Sequence, residues 1–405
     1  MDIRFIGNNT HLRKQGDFAI TDPHLERLYQ QTYVYRSTII HEISREEPGI
    51  VILGGGRQIG KTTLLKQWME DLLNTGVMPD AICFFSGELI DDHQQLFLIV
   101  ERQLNEMPTD CMLYLIIDEV TDILGWDKAI KYLADLGAFR KAVVVLSGSD
   151  LVLMQDARKQ FPGRRGKADK VDFHYYPLSF REYLILLDLL PDANFMDVND
   201  KSVIIKSLYK AFDAYLIHGG FLTAINEYSD TGTINIATLN TYADWIRGDI
   251  LKRHKKEYFL REIMAAVIKH YLKQVSWDNL VQELSIDHTQ TIASYLELLD
   301  SMDALFVQQA IIEDKLKPAP KKRKRLMFAD PFIFHAINYW LQPCGDPFEQ
   351  QIKPLFNNPV AYSQMVEACV VTHFRRFFPT YYIKAKGEVD IAYVPGQDPL
   401  NCIDI

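Results

Sequence analysis

The sequence predicts an α/β fold in which a parallel sheet is covered by helices on both faces. Three observations carry this. Apolar runs such as "GIVILGG" and "LYLIID" alternate with amphipathic stretches, as buried parallel strands joined by crossover helices should. A glycine-rich turn, "GGGRQIGKTT" (54–63), stands between the first apolar run and the first long amphipathic stretch. Hydrophobic residues make up 48% of the 405 residues, which supports several packed cores and argues against wholesale disorder.

The elements follow in order. Residues 1–30 are polar and mixed and are read as an N-terminal arm. "YRSTIIHEIS" is read as a helix leading into the strand "GIVILGG". In "KTTLLKQWMEDLLNTG", Leu64, Leu65, Trp68, Met69, Leu72 and Leu73 recur at helical spacing, and Gly76 fits as the stop. "AICFFS" is a second strand, "HQQLFLIVERQLNEM" a helix and "CMLYLIIDEV" a third strand. "DKAIKYLADLG" is a helix, "AVVVLSGS" a fourth strand and "VDFHYYPLSF" a fifth. This core spans 31–180. Residues 181–256 read as a helical lid, interrupted by "HGGF" and "SDTGT". In 257–328, the helices "YFLREIMAAVIKHYL", "SWDNLVQELS" and "DHTQTIASYLELLDSM" precede two short strands, "ALFVQQAII" and "KRLMFAD". Three helices and a hairpin make a winged helix-turn-helix. Residues 329–405 carry helices around "FIFHAINYWL" and "SQMVEACVVTHFRRFF", then strands "EVDIAYV" and "NCIDI". No internal repeat at a fixed period is found.

The net charge of -9 excludes a general nucleic-acid glue, so any such contact is local. Cys83, Cys111, Cys344, Cys369 and Cys402 are scattered, with no C-x-x-C pair. No disulfide framework or zinc spacing follows. Cys83, Cys111 and Cys369 lie in apolar runs and read as small buried hydrophobes. The N-terminus lacks an apolar leader, and no apolar run approaches the roughly 18 residues of a membrane span. A cytoplasmic protein with no membrane contact is expected.

Gly55, Gly60, Lys61 and Thr62 satisfy G-x-x-x-x-G-K-[ST] between a buried strand and an amphipathic helix, the context that gives this motif its meaning. Backbone N–H groups of Gly55, Gly56, Arg57, Gln58, Ile59, Gly60 and Thr63 are expected to cradle phosphates at a helix N-terminus. Lys61 supplies charge to the β- and γ-phosphates, and the Thr62 hydroxyl ligates Mg²⁺. "LYLIIDEV" offers the second half of the site. Asp118 is expected to hold Mg²⁺, and Glu119 to act as general base on the attacking water. "LSGSD" places Ser147 and Ser149 at the next strand tip, as sensors of the γ-phosphate or as a plain polar strand end. In "GRRG", Arg164 and Arg165 are candidates for stabilising transition-state charge, often across a subunit boundary; a solvated basic loop is the competing reading.

"GGGRQIGKTTLLKQ", "LIIDEV", "VVVLSGSD" and "YPLSFREYL" stand in an order that resembles the archaeal and bacterial AAA-type ATPases related to the signal-transducing STAND NTPases. "HGGF", "KRLMFADPFIF" and "GEVDIAYV" resemble the same family, many of whose members end in a domain of unknown function similar to the PD-(D/E)xK nucleases. The likeness runs from about residue 30 onward. It implies ATP with Mg²⁺ rather than GTP, with Lys61 and Thr62 on the nucleotide and metal and Asp118 and Glu119 as the Walker B pair. It also implies that Arg57 and Gln58 are the usual "RQ" of the loop.

In "DHTQTIASYLELLDSM", Asp287 fits as N-cap with Gln290 three residues later. Ile292, Tyr295, Leu296, Leu299 and Met302 form the buried face. His288, Thr289, Gln290, Thr291 and Ser294 are left at the end where a recognition helix reads bases. Glu297 and Asp300 follow on the exposed side and would repel phosphate. The wing between 315 and 325 gathers Lys315, Lys317, Lys321, Lys322, Arg323, Lys324 and Arg325. Such a wing suits a DNA backbone; a solvated loop or a protein-docking wing is the alternative. A homo-oligomer or a protein partner is also open.

The nuclease resemblance requires carboxylates on a metal and a lysine beside the attacking water. Glu367, Asp390 and Asp404 are the candidates for this second metal site. Asp404 begins a D/E-x-K motif whose lysine would come after Ile405, so the domain is expected to be truncated and inactive as a nuclease. Three functions follow: an ATP-hydrolysing switch acting through the winged helix, a nucleotide-gated scaffold with little turnover, or an ATPase-powered nuclease.

Overall fold

The computed structural model describes residues 1–12, 18–151, 154, 161, 163–190, 201–384 and 387–394. The chain divides into two compact units, Met1–Tyr176 and Pro177–Ile405. The strand "NCIDI", with Asp404 and Cys402, lies outside the described residues.

In the first unit, the described strands form a parallel sheet in the order β2-β3-β4-β1-β5. They are β1 Gly49–Gly54, β2 Ile82–Ser86, β3 Leu113–Asp118, β4 Ala142–Gly148 and β5 Asp172–His174. Every residue of β1, β3 and β4 is buried, which is why these runs show no polar alternation. The unit's longer described helices, in chain order, are α1 Pro23–Tyr29, α2 Lys61–Asn74, α3 His93–Glu106 and α4 Trp126–Asp135. On one face, Ile50, Ile52, Cys83, Phe85, Leu115, Ile117, Val144 and Leu146 pack with the apolar stripes of α3 and α4. α2 takes the opposite side, where Trp68 meets Tyr114 edge to face at 5.9 Å.

The N-terminal stretch is not a free arm. Phe5 is fully buried and packs on Phe85 with ring centroids 5.1 Å apart. The Asn9 amide donates to the Phe84 carbonyl and accepts from the Phe84 N–H, both at 2.8 Å, so it occupies part of the free edge of β2. Lys66, on α2, is fully buried with Asp22 3.0 Å away and the Phe84 ring 4.0 Å from its ammonium. A buried charge persists only when paired, so this pair ties residues 18–30 to the helix that starts at the glycine-rich turn. The apolar anchors here are sparse and the helices short, so no periodicity betrayed the packing.

The second unit begins with α5 Phe180–Leu186, α6 Lys201–His218, α7 Leu222–Thr231 and α8 Ile236–Lys252. It continues with α9 Glu257–Lys269, β6 Gln274–Val275, α10 Trp277–Glu283 and α11 Thr289–Ser301. β7 Leu305–Gln309, β8 Ile311–Ile312, β9 Lys317–Pro318 and β10 Lys324–Phe328 follow, then α12 Pro331–Leu341, α13 Pro359–Arg375, β11 Thr380–Lys384 and β12 Glu388–Tyr393. β10 lies antiparallel between β6 and β7, and α9, α10 and α11 complete three helices with a hairpin. The lid, wing and terminal stretch expected as separate parts form one compact unit. The reason is α12, which buries nine of its eleven residues, among them Phe332, Ile333, Ile337 and Trp340. A helix apolar on all sides must be surrounded.

Asp330 caps α12. One carboxylate oxygen accepts the Phe332 N–H (2.8 Å) and the other the Gly220 N–H (2.9 Å). Gly219 has φ 57°, and a Cβ there would overlap the Asp330 carboxylate. This explains why "HGGF" and "ADPF" occur together. Burial pushes the Asp330 carboxyl up to about 6 from an ordinary 3.8. The unfolded chain therefore ionises first as pH rises. The group's contribution to stability falls between about pH 4 and pH 6 and is flat above, a change on the order of 2–3 kcal/mol. In urea unfolding across this window, wild type should lose stability relative to Asp330→Asn; parallel curves would refute the assignment.

Four expectations are corrected here. α11 begins at Thr289 with His288 as its N-cap and no capping side-chain bond, so Asp287 does not cap it. Asp300 is not exposed to repel phosphate, because Arg375 pairs with it at 3.0 Å and the Val307 N–H donates to it. The basic turn folds back on itself as the β8–β9 pair. Arg325 is buried, whereas Lys315, Lys317, Lys321, Lys322 and Arg323 are exposed. β11, unforeseen in the sequence, pairs with β12.

Candidate functional site

The site grows from the C-terminal ends of β1, β3 and β4. Gly55 follows β1 where no side chain fits: a Cβ would lie 2.3 Å from the Tyr175 carbonyl oxygen. Gln58 and Gly60 both take positive φ, 61° and 94°, and so turn the loop back to the start of α2. Lys61, the first residue of α2, is buried. Its ammonium donates to the carbonyls of Gly55 (3.1 Å) and Gly56 (2.8 Å) and pairs with Glu119 at 3.4 Å. Arg57 pairs with Asp122 at 3.6 Å. Ile59 packs toward Gly55, and Thr63 follows Thr62 on the first turn of α2.

Asp118 ends β3, buried. It accepts the Thr62 hydroxyl at 2.6 Å and the Ser147 hydroxyl on its other oxygen. Ser147 also accepts the Glu119 N–H at 3.2 Å, and Ser149 donates to the Glu119 carboxylate at 3.1 Å. Ser147 therefore bonds to both members of the acidic pair. Burial raises Asp118, and the hydroxyls of Ser147 and Thr62 offset only part of that. For Glu119, burial also pushes upward, but Lys61 and then Arg57 outweigh it and hold the carboxyl below its ordinary range. Glu119 sits at φ 49°, ψ 44°, a left-handed conformation that costs a non-glycine residue on the order of 1 kcal/mol or more. Gly87 makes room for it, since a Cβ there would lie 2.4 Å from the Glu119 carbonyl oxygen.

The structure thus brings together Lys61, Thr62, Asp118, Glu119, Ser147 and Ser149. Arg164 instead ion-pairs with Asp135 at the end of α4, and Arg165 forks onto Asp172 with both bonds at 2.5–2.6 Å. Sequence reasoning missed Asp122, Tyr175 and Gly87. Gly87 alone left a signal, as a glycine directly after a strand.

Glu367 and Asp390 do meet, but around a guanidinium. Arg325 donates to Glu367 at 2.9 Å and to Glu388 and Asp390 at 2.8 Å. A divalent ion would need these oxygens at roughly 2.0–2.6 Å, in space the guanidinium fills. The metal expected at Glu367 and Asp390 does not fit this arrangement. Asp404, the third expected ligand, is outside the described residues.

Residues 47–184 match the AAA domain family, and residues 209–342 match a domain of unknown function (DUF8612). An uncharacterized protein of Haemophilus influenzae is 22% identical over 263 residues, which is 62% of this chain. The chain spans 60% of that relative's length. Among solved structures, a Walker-type ATPase of Pyrococcus abyssi is 14% identical with TM-score 0.47, covering 74% of this chain and 93% of that one. The Aeropyrum pernix ORC2 protein is 12% identical with TM-score 0.37, covering 84% and 94%. Thermotoga maritima RuvB is 15% identical with TM-score 0.34, covering 69% and 84%. No described helix is long and apolar enough to cross a membrane. The glycine-rich loop, the buried lysine and the acidic pair at the strand ends all lie within residues 47–184, the stretch that is similar to the AAA domain family of P-loop proteins.

Proposed function

We propose that this chain binds ATP with Mg²⁺, hydrolyses it, and passes the nucleotide state to its second unit. The observation that carries this reading is the convergence of Lys61, Thr62, Asp118 and Glu119 at the ends of β1 and β3, the strands on either side of β4. The Thr62 hydroxyl and the Asp118 carboxylate are hard oxygen donors 2.6 Å apart, the chemistry Mg²⁺ favours, and Ser147 orients Asp118 from behind. Bound there, the ion supplies positive charge against the phosphate oxygens. Lys61 now balances Glu119; a γ-phosphate would compete for that ammonium. Glu119 then keeps Ser149 as its anchor and stands ready to take a proton from water. The backbone of Gly55–Gly60 and the side chain of Arg57 contribute the rest of the phosphate cradle.

The chain passes from the first unit to the second between Tyr176 and Pro177, and each unit bonds its own side of that boundary. The Tyr175 N–H donates to the Gly54 carbonyl at 2.7 Å, at the mouth of the glycine-rich loop. Two residues on, Arg376 holds the Pro177 carbonyl (2.7 Å). The Leu178 N–H donates to Gly220 (2.8 Å). Steady-state phosphate release with Mg²⁺ and ATP tests the reading. Tight binding without turnover would favour a nucleotide-gated scaffold. The catalytic assignment rests on Lys61 and Glu119; Arg164, held by Asp135, would act only across subunits of a homo-oligomer. A cytoplasmic setting accords with an ATP-using site.

A second reading concerns the winged helix of residues 257–328. Lys315, Lys317, Lys321, Lys322 and Arg323 are exposed on the wing, a surface that suits a DNA backbone. Binding should be non-specific and should fall steeply with salt as counterions are released. Neutralising Lys321, Lys322 and Arg323 together should flatten the salt slope by about 2 to 3. Equal binding at low salt by both proteins would assign the wing to a protein partner.

A further inference from the structure

The basic wing and the acidic terminal strands, read in the sequence as two separate functional surfaces, meet inside the second unit. Arg325 belongs to β10, the central strand of its sheet. Its backbone is fixed on one side by Gln274 of β6 and on the other by Gln308 of β7. Its side chain is 8% exposed and extends over the Tyr382 ring at 5.4 Å. Three carboxylates from two elements close on it: Glu367 from α13, and Glu388 and Asp390 from β12.

Further bonds run between the same strands. The Gln308 amide donates to the Asp390 carbonyl at 2.9 Å, and the Gln274 amide donates to Glu388 at 2.8 Å. The Tyr382 hydroxyl donates to the Arg323 carbonyl at 2.5 Å. Ala310 and Tyr382 form a parallel bridge. Apolar contact between Ile311 and Tyr381 completes the seam.

We infer that Arg325 is a fixed internal cation standing where the carboxylates would otherwise hold a metal, and that the β11–β12 hairpin is a brace clamped by charge onto the wing. A guanidinium suits this place because its planar fork can donate to several carboxylates at once, and because it stays ionised at every pH the protein meets. β10, held on both edges, fixes the Arg325 backbone beside the carboxylates, and the side chain is held by its three carboxylate partners and the Tyr382 ring. The brace also sorts the basic run. Arg325 is spent internally, and Arg323 is held through its carbonyl. The free charge on the wing is thereby confined to the tip and the return strand. This inference does not depend on ATP binding.

The test uses the full chain without nucleotide. Mn²⁺ titration followed by electron paramagnetic resonance should give superimposable isotherms for wild type and Asp390→Asn. A wild-type Mn²⁺ site lost in Asp390→Asn would overturn the inference. Hydrogen exchange supplies the second arm. Glu388→Gln/Asp390→Asn changes partly exposed residues, so the fold survives. With two charge-assisted bonds weakened, exchange in 380–384 and 388–393 should quicken by about tenfold, with β1–β4 unchanged. Unchanged exchange in both hairpin strands would show that the clamp does not hold the brace, and would equally sink the proposal.

Discussion

Lys61→Ala is expected to weaken ATP binding by at least about a hundredfold, since truncating one partner of a buried charged pair typically costs 2–5 kcal/mol or more. The ammonium is buried against two loop carbonyls and Glu119, so no neighbouring side chain can replace it. The variant should keep its fold. Its fully buried neighbours Leu64, Leu65 and Trp68 carry the packing of α2, and Glu119 retains Ser149 as a partner. Titration calorimetry on a sample with wild-type circular dichroism decides the matter. An unchanged dissociation constant would remove residues 55–62 from the nucleotide site.

Glu119→Gln should leave ATP binding near wild type and slow turnover by about 10²–10⁴-fold, the usual range for loss of a general base. The amide preserves size and the contact with Ser149 but cannot accept a proton. Glu119 is held ionised by Lys61 and Arg57 against the upward push of burial. Its strained backbone and the space left by Gly87 fix its direction. Single-turnover phosphate release separates chemistry from product release. Wild-type turnover in this variant would exclude Glu119 as the base and point to a different route for the proton.

Much of the first unit was legible because each signal there is local. The glycine-rich turn lies between a buried strand and an amphipathic helix, and Asp118 and Glu119 close a continuously apolar strand. The sequence could not show what depends on distant pairing. Arg325 looks like its neighbours in "KKRKR", and only the register of β10 between β6 and β7 turns it inward. Beyond its first residue β10 is covered on both faces: Lys324 is half exposed, while Arg325 to Phe328 are all buried. Glu388 passed unnoticed because nothing in "GEVD" distinguishes it until β12 folds back along β11. The N-terminal packing was hidden for the same reason. Asp22 reads as a loop acid until the fully buried Lys66, 44 positions on, is seen to need it.

The stretch from Tyr175 to Leu178 shows how closely each unit is bonded up to its own end. Tyr175 is bonded to the end of β1, while Pro177 and Leu178 are gripped by α13 and by the loop after α6. Tyr176 alone lies between these anchors, and its ring stacks on His174 at 3.8 Å. Proteins joined by long flexible linkers act as beads on a tether, each part tumbling at a local concentration set by linker length. Here there is almost no rope to pay out. The proline next to the joint removes one more rotation by locking φ. Each unit thus closes its own hydrogen bonds to within about one residue of the boundary, Tyr175 in the first and Pro177 and Leu178 in the second, and leaves little backbone there to fray.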